Sequence, residues 1–241
     1  MKANLKVEYS DRITAKSYIN RKTGCHFSLA FEKIIFPLIK GKKVLDIGPG
    51  DGRYLEFFNN FNNESVGVDV SIPNTLHMKK KGLNVISADL NEELPLEDKS
   101  FDVVFMSHVL EHLDSPINSL RDAHRILREN GILIVCVPVY KSLFSLLRRD
   151  HYFKKHSTHI YVFDISNVER LLLKTNFNLK KIVFNIPGLR RLKVGRVLGT
   201  FQLLPKIDFF ARVFCDEIWF VSYKADYNWN NNAGKENGIA K

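Results

Sequence analysis

Three cysteines, Cys25, Cys136 and Cys215, are too few and too far apart to frame a domain with disulfides or to present a closely spaced zinc motif. They read as reduced, buried thiols. No apolar run reaches the ~18 residues that a membrane span needs. The best stretch is interrupted by Arg212, Asp216 and Glu217. Met1 to Asp11 is polar and of mixed charge, without the basic head and apolar core of a secretory signal, so the expected location is cytoplasmic. Acidic residues are also in deficit. The 26 Asp and Glu against 36 Lys and Arg leave a formal charge of +10, which favours an anionic partner such as nucleic acid, a lipid surface or a phosphorylated substrate. Nucleic acid is the least supported of these, because no aromatic stacking platform is interleaved with the basic residues.

What is present is the balance of an ordinary globular protein. In 241 residues, 45% are hydrophobic and 26% charged, enough for one main α/β domain with additions. From Val44 onward short apolar runs alternate with amphipathic stretches, the pattern of βαβ units stacked on a parallel sheet. Strands are predicted at Val44 to Ile47, Val66 to Val70, Val85 to Ala88, Val103 to Met106 and Ile132 to Val137, rich in the β-branched residues that doubly covered strands use. Helices are predicted at Arg53 to Asn60, Pro73 to Lys81 and Ile117 to Glu129, the last closed by Asn130 and Gly131. A further helix at Ile165 to Thr175 and strands at Leu179 to Phe184 and Glu217 to Tyr223 complete the pattern.

The flanks differ in character. Residues 1–40 carry Leu29, Ile34, Ile35 and Leu38 at helical spacing and are expected to form a helical cap before the main domain at 41–225. Within that domain Pro187 to Phe214 reads as an insertion, where Arg190, Arg191, Lys193 and Arg196 alternate with apolar residues as on an amphipathic basic helix. Such a face suits peripheral contact with an anionic membrane. Residues 226–241 are Asn-rich and polar, without an apolar period, and are expected to be a disordered tail.

The chemistry concentrates at Val44-Leu45-Asp46-Ile47-Gly48-Pro49-Gly50-Asp51-Gly52, a buried strand running into a glycine turn and then a helix. Such a turn lets the backbone approach a ligand, and the following helix start offers amide donors. A dinucleotide fingerprint needs its third glycine where this chain has Arg53. Asp46 would oppose a pyrophosphate and favour a cationic ligand, an ammonium or a sulfonium. The second strand ends at Asp69, placed to accept from ribose hydroxyls, and the third at Asp89 and Leu90, placed for an adenine amine and ring. Three carboxylates at three successive strand ends converge on one crevice of an open α/β sheet.

These residues resemble the class I S-adenosylmethionine-dependent methyltransferase family, of the type 11/23 kind. Asp46 to Gly52 match its D/E-x-G-x-G-x-G motif, Phe101 to Leu113 its fourth strand and following segment, and Leu127 to Leu133 the entry to its fifth strand. The resemblance spans roughly Tyr9 to Tyr223. It implies a Rossmann-like fold of three α/β/α layers, with a mostly parallel, doubly wound seven-stranded sheet whose last strand is antiparallel. It implies S-adenosyl-L-methionine as cofactor, with Asp46, Gly48 and Gly50 around the methionine moiety, Asp69 at the ribose, Asp89 and Leu90 at the adenine, and Ser107 and His108 beside the sulfonium. The long insertion departs from the family and leaves the acceptor open among small molecules, glycans and lipid-linked substrates.

Two histidine-bearing segments complete the inventory. His108-Val109-Leu110-Glu111-His112 has the letters of an H-x-x-E-H zinc motif, but it directly follows a buried strand and shows no third ligand, so no metal is expected there. His159 resembles a histidine that opens the helix before the family's sixth strand. His108 and His159, with an ordinary pKa of about 6.5, are the candidate bases for a hydroxyl acceptor. The competing classes are a nicotinamide-dependent oxidoreductase and a non-catalytic nucleotide-binding module on the same fold.

Overall fold

The computed structural model describes residues 30–61, 63–139, 158–185, 215 and 217–225. Most of the predicted cap before residue 30, the insertion at 187–214 and the tail at 226–241 lie outside them. A π-helical turn, Phe31–Ile35, runs into the short α1, Phe36–Ile39, ahead of the first strand.

Seven strands follow: β1 (Lys43–Ile47), β2 (Glu64–Asp69), β3 (Val85–Ser87), β4 (Phe101–Ser107), β5 (Leu127–Pro138), β6 (Phe177–Asn185) and β7 (Glu217–Lys224). They form one sheet in the order β3-β2-β1-β4-β5-β7-β6. The first five pair in parallel, whereas β7 lies antiparallel between β5 and β6. The expected seven-stranded, doubly wound sheet with an antiparallel last strand is therefore present. Crossover helices α2 (Arg53–Asn59), α3 (Ile72–Lys80), α4 (Pro116–Ile126) and α5 (Ile165–Lys174) connect it. Ser71 caps α3 by accepting from Asn74 N, and Asp164 caps α5 by accepting from Asn167 N at 2.8 Å.

Alternate residues of the central strands feed two cores. Leu45, Ile47, Val104, Met106, Leu133 and Val135 pack with Leu120, Ile126, Val168 and Leu172 of α4 and α5. On the opposite face Val44, Val103, Phe105, Ile134 and Trp219 pack with Phe31, Ile35, Ile39 and Phe58. That second core is aromatic: Phe31 lies 4.8 Å from Tyr54 and 6.0 Å from both Phe105 and Trp219, centroid to centroid, with tilted or edge-on rings. Asp46, two residues after Val44, shares the parity of this aromatic face.

One predicted boundary is corrected. The helix expected to reach Glu129 stops at Ile126, and β5 starts at once with Leu127 paired to Phe101. The next paired couple is Val103 with Ile132, so residues 128–131 bulge from the strand, and Asn130 turns there with φ +60°. Asn130 and Gly131 form a strand bulge rather than a helix stop, because the buried Leu127 and its carbonyl, which accepts from Lys224 Nζ at 2.8 Å, hold the chain extended.

Candidate functional site

β1 ends at Ile47 and the chain reverses through Gly48 and Gly50, with φ of +68° and +58°. Those angles lie in the left-handed region that side chains disfavour. The turn is fastened to β2 on both sides: Gly48 N donates to Val68 O at 2.8 Å, and Gly50 N donates to Asp69 Oδ2 at 3.0 Å. The other Asp69 oxygen accepts from Ser71 N at 2.8 Å. Asp69 thus has one strong donor on each oxygen and retains lone pairs for further hydroxyl donors.

The two glycines serve different ends. A Cβ on Gly48 would stand 2.7 Å from Val109 Cγ2 and 3.7 Å from Leu90 Cδ1, so the loops after β1, β3 and β4 meet at this point. A Cβ on Gly50 would meet nothing within 4 Å. The open space above Gly50 is what close approach of a ligand to backbone requires. Gly50→Ala is therefore expected to leave a folded protein, destabilised by ~1–2 kcal/mol through its backbone angle, that binds S-adenosylhomocysteine about tenfold more weakly by isothermal calorimetry. An unchanged affinity would show that no ligand passes over this glycine.

Asp46 is the most unusual group in the turn. It is 1% exposed, and its Oδ2 has no hydrogen-bond partner. Burial first, then the nearby Asp69 and Asp51 carboxylates, push its pKa well above the ordinary aspartate value, against a smaller opposing pull from Arg53. Burial also raises Asp69, although the Ser71 and Gly50 amides and Asn74 work the other way. Two desolvated carboxylates beside a glycine turn favour a positively charged occupant. These residues fit S-adenosylmethionine: the orphaned Asp46 oxygen suits its cationic part, Asp69 its ribose hydroxyls, and the open face of Gly50 its close passage.

Asp89, just past β3, is half-buried, and its Oδ1 accepts from Asn91 N at 3.1 Å and from Asn91 Nδ2 at 3.3 Å. Asn91 Oδ1 in turn accepts from Asp114 N at 2.8 Å, tying this loop to the segment after β4. Leu90 is buried against the glycine turn, and Ser107 closes β4, half-buried opposite Cys136. The strand-end residues named from the sequence thus lie along one edge of the sheet.

His108 takes a left-handed backbone angle, φ +57°, and donates its amide to Cys136 O at 3.0 Å. Its ring lies between two carboxylates, with Nε2 3.1 Å from Glu217 Oε1 and Nδ1 3.3 Å from Glu111 Oε1. Burial alone would lower its pKa, but the Cys136 sulfur beside the ring, as a hydrogen-bond acceptor, and the Glu111 and Glu217 carboxylates carry it well above 6.5. Burial raises Glu217 too, and is outweighed by His108, which holds the Glu217 pKa below its ordinary value. Burial pushes the Cys136 thiol up to about 12, so it stays protonated at neutral pH. His159 also lies near Glu111, a ring nitrogen within 4.8 Å of a carboxylate oxygen. Its ring centroid is 4.5 Å from that of His112, and burial lowers the pKa of both imidazoles. The two histidines singled out in the sequence therefore lie close to one buried carboxylate.

Glu111 and Glu217 were not among the expected site residues. Glu111 was visible inside the H-x-x-E-H letters, yet it follows β4 on a 3-10 turn, Leu110–His112, whose geometry the letters do not carry. Glu217 opens β7, and because that strand runs antiparallel its first residue pairs with Pro138 at the carboxyl edge of β5. Asn185, at the end of β6, donates to Glu217 Oε2 at 3.3 Å.

Residues 21–182 match the methyltransferase domain family. Among curated relatives, a chain from Methanocaldococcus jannaschii described as uncharacterized is 34% identical over 132 residues, covering 54% of this chain and 50% of its own length. A ubiquinone biosynthesis O-methyltransferase of Parvibaculum lavamentivorans is 29% identical over 127 residues, covering 51% and 49%. This chain thus spans about half the length of the curated relatives it matches. Among solved structures, a SAM-dependent methyltransferase from Archaeoglobus fulgidus superposes with a TM-score of 0.59 at 25% identity, over 79% of this chain and 90% of that one. With the sheet order, the glycine turn and its carboxylates already in place, the match over residues 21–182 makes this chain a member of the class I S-adenosylmethionine-dependent methyltransferase family.

Proposed function

We propose that this chain transfers a methyl group from S-adenosyl-L-methionine to a small-molecule, glycan or lipid-linked acceptor. The observation that carries the reading is Asp46, a buried carboxylate with an unpartnered oxygen beside the glycine turn and Asp69. A nicotinamide dinucleotide would bring its pyrophosphate toward these carboxylates, which like-charge repulsion opposes. The same argument disfavours a nucleotide-binding module for phosphorylated ligands.

When bound, the cofactor supplies a methyl carbon on a positively charged sulfur, electrophilic without help from the protein. What the chain contributes is alignment. Asp46, Gly48 and Gly50 would hold the methionine end, Asp69 the ribose and Asp89 with Leu90 the adenine, and Ser107 with His108 would lie beside the sulfur. Fixing acceptor and methyl at near-attack distance supplies about 7 kcal/mol or more of the barrier. For a hydroxyl acceptor, His159, whose pKa is lowered by burial, is the candidate to receive the proton, whereas His108, expected from the sequence as a base, is held protonated between Glu111 and Glu217 and is not.

No helix among the described residues is long and apolar enough to cross a membrane. The reading places the protein in the cytoplasm, with the basic stretch at 187–214 touching an anionic membrane where the acceptor is lipid-linked.

Thermal unfolding with S-adenosylhomocysteine against NAD tests the cofactor, since a ligand that binds only the native state raises the melting temperature. Stabilisation by NAD alone overturns the reading. Incubating cell extract with the protein and methyl-labelled cofactor then identifies the acceptor, partition of label into organic solvent marking a lipid and retention in water a small molecule or glycan.

A further inference from the structure

Next to the groups that would hold the cofactor, the described residues contain a second assembly of donors, and a cation bound there would take the place of the base at His159. One ligand atom each from Glu111, His112 and His159 lies within 4.8 Å of the others. Glu111 is 1% exposed, and neither of its carboxylate oxygens has a hydrogen-bond partner, although His108 Nδ1 lies 3.3 Å away. A carboxylate so deeply buried is costly to keep ionised, and the His108 ring stands at ion-pair distance from only one of its oxygens. From these contacts we infer that Glu111, His112 and His159 bind one first-row divalent cation of the zinc, cobalt or manganese type.

The surroundings are arranged as the outer shell of such a site. His112 Nδ1 lies 3.2 Å from Thr158 O and 3.1 Å from Thr158 Oγ1. A bond from Nδ1–H to that carbonyl leaves the lone pair on Nε2, the tautomer that ligates metals, and fixes the ring plane. His159 is held against the same turn by backbone: Ile160 N donates to Glu111 O at 2.7 Å and Tyr161 N to the same oxygen at 3.2 Å. The third ligand is therefore fastened to the first, though far from it in sequence. Ligands of a tetrahedral zinc sit about 3.3 Å apart, so the trio needs to close by no more than ~1.5 Å. Two imidazoles and one carboxylate suit zinc-like cations better than magnesium, which prefers oxygen ligands and retains its waters.

A rival trio, His108, Cys136 and Glu217, also brings its donor atoms within 4.8 Å of one another. There the imidazole is already paired with Glu217 at 3.1 Å, and Cys136 is fully buried, so a cation would have to displace an existing ion pair. Glu111 is also ion-paired with His108, at 3.3 Å, but that contact is longer and neither Glu111 oxygen is hydrogen-bonded, so a cation displaces less there.

The test uses the full chain, stripped with chelator and without cofactor, so that its outcome is independent of the methyl-transfer reading. Isothermal calorimetry and thermal unfolding are run with ZnCl2, MnCl2 and MgCl2, and visible absorption is recorded with CoCl2. The expected result is one zinc or cobalt per chain, a melting temperature several degrees higher, and the intense visible bands of low-coordinate cobalt. Glu111→Gln and His159→Ala are each expected to weaken binding at least about tenfold, whereas Glu217→Gln leaves it within twofold. Because Glu111 is buried, His159→Ala, at a half-exposed position, decides the matter should Glu111→Gln fail to fold. No uptake, binding of magnesium alone, binding that survives His159→Ala, or binding lost in Glu217→Gln but kept in His159→Ala would each overturn the assignment.

Discussion

Asp46→Asn is expected to raise the melting temperature of the ligand-free protein while weakening S-adenosylmethionine binding about 100-fold, the scale of a lost charge-assisted contact. Proton counting gives the sign. Burial, Asp69 and Asp51 hold the Asp46 pKa above its ordinary value in the folded chain. Between the unfolded and folded values, the native state keeps a proton that the unfolded chain has released. Stability is therefore full below the unfolded pKa and falls as pH rises through that window, by about 1.4 kcal/mol per pH unit. Asparagine does not titrate and escapes this loss. Unfolding of both proteins from pH 4 upward should give curves that coincide at the acid end and separate as pH rises, with the variant more stable. A difference of 1 kcal/mol corresponds to roughly 2–4 °C in a chain of this size.

Cofactor binding supplies the complementary sign. A cationic ligand prefers the ionised carboxylate, so affinity for S-adenosylmethionine should rise with pH across the same window in the wild type and be flat there in Asp46→Asn. S-adenosylhomocysteine, which lacks the sulfonium charge, should lose less affinity than S-adenosylmethionine on substitution. A variant that is less stable at neutral pH and binds both compounds normally would mean that Asp46 is an ordinary buried side chain. Stability given up at a binding site in this way is the usual trade between a rigid fold and a working one.

The parallel half of the sheet was readable because β1, β2, β4 and β5 are largely buried on both faces, so Val- and Ile-rich runs identify strands without knowledge of their neighbours. The glycine turn was readable because positive backbone angles leave a signature in residue type. Asp69 and Asp89 followed from the rule that open parallel sheets bind ligands at their carboxyl edge. The fate of Leu127 was not readable, since Leu127, Arg128 and Glu129 are good helix formers and only pairing with Phe101 draws the chain into the sheet. Nor was the setting of His108 and His159. Their common neighbour, Glu111, contacts His108 through its side chain and, through its backbone carbonyl, accepts from Ile160 and Tyr161 just after His159, and such links across loops leave no period in a sequence. The nearness of His159 to Glu111 and His112 is likewise invisible in the H-x-x-E-H letters, because it arises only through tertiary contact.

Gly48→Ala is expected to be the most damaging small substitution in the turn, lowering stability by about 2–5 kcal/mol in urea unfolding. Two separable effects contribute. The φ of +68° costs any L side chain ~1–2 kcal/mol, whatever the space around it. The new Cβ also stands 2.7 Å from Val109 Cγ2, a stiff β-branched side chain buried at the base of the β4 loop, and overpacking of this kind costs ~1–3 kcal/mol. A double-mutant cycle with Val109→Ala divides them, since removing the valine methyls relieves the overlap and leaves the backbone angle. The expected coupling is about 1 kcal/mol or more, favouring the pair. Val109 lies between His108 and Glu111, so any displacement is delivered to the histidine and carboxylate cluster. Methyl transfer should consequently fall in Gly48→Ala even at temperatures where the protein remains folded, and recover in part with Val109→Ala. Additivity within ~0.5 kcal/mol would show that the glycine turn and the β4 loop are energetically independent, and would confine the role of Gly48 to its backbone angle.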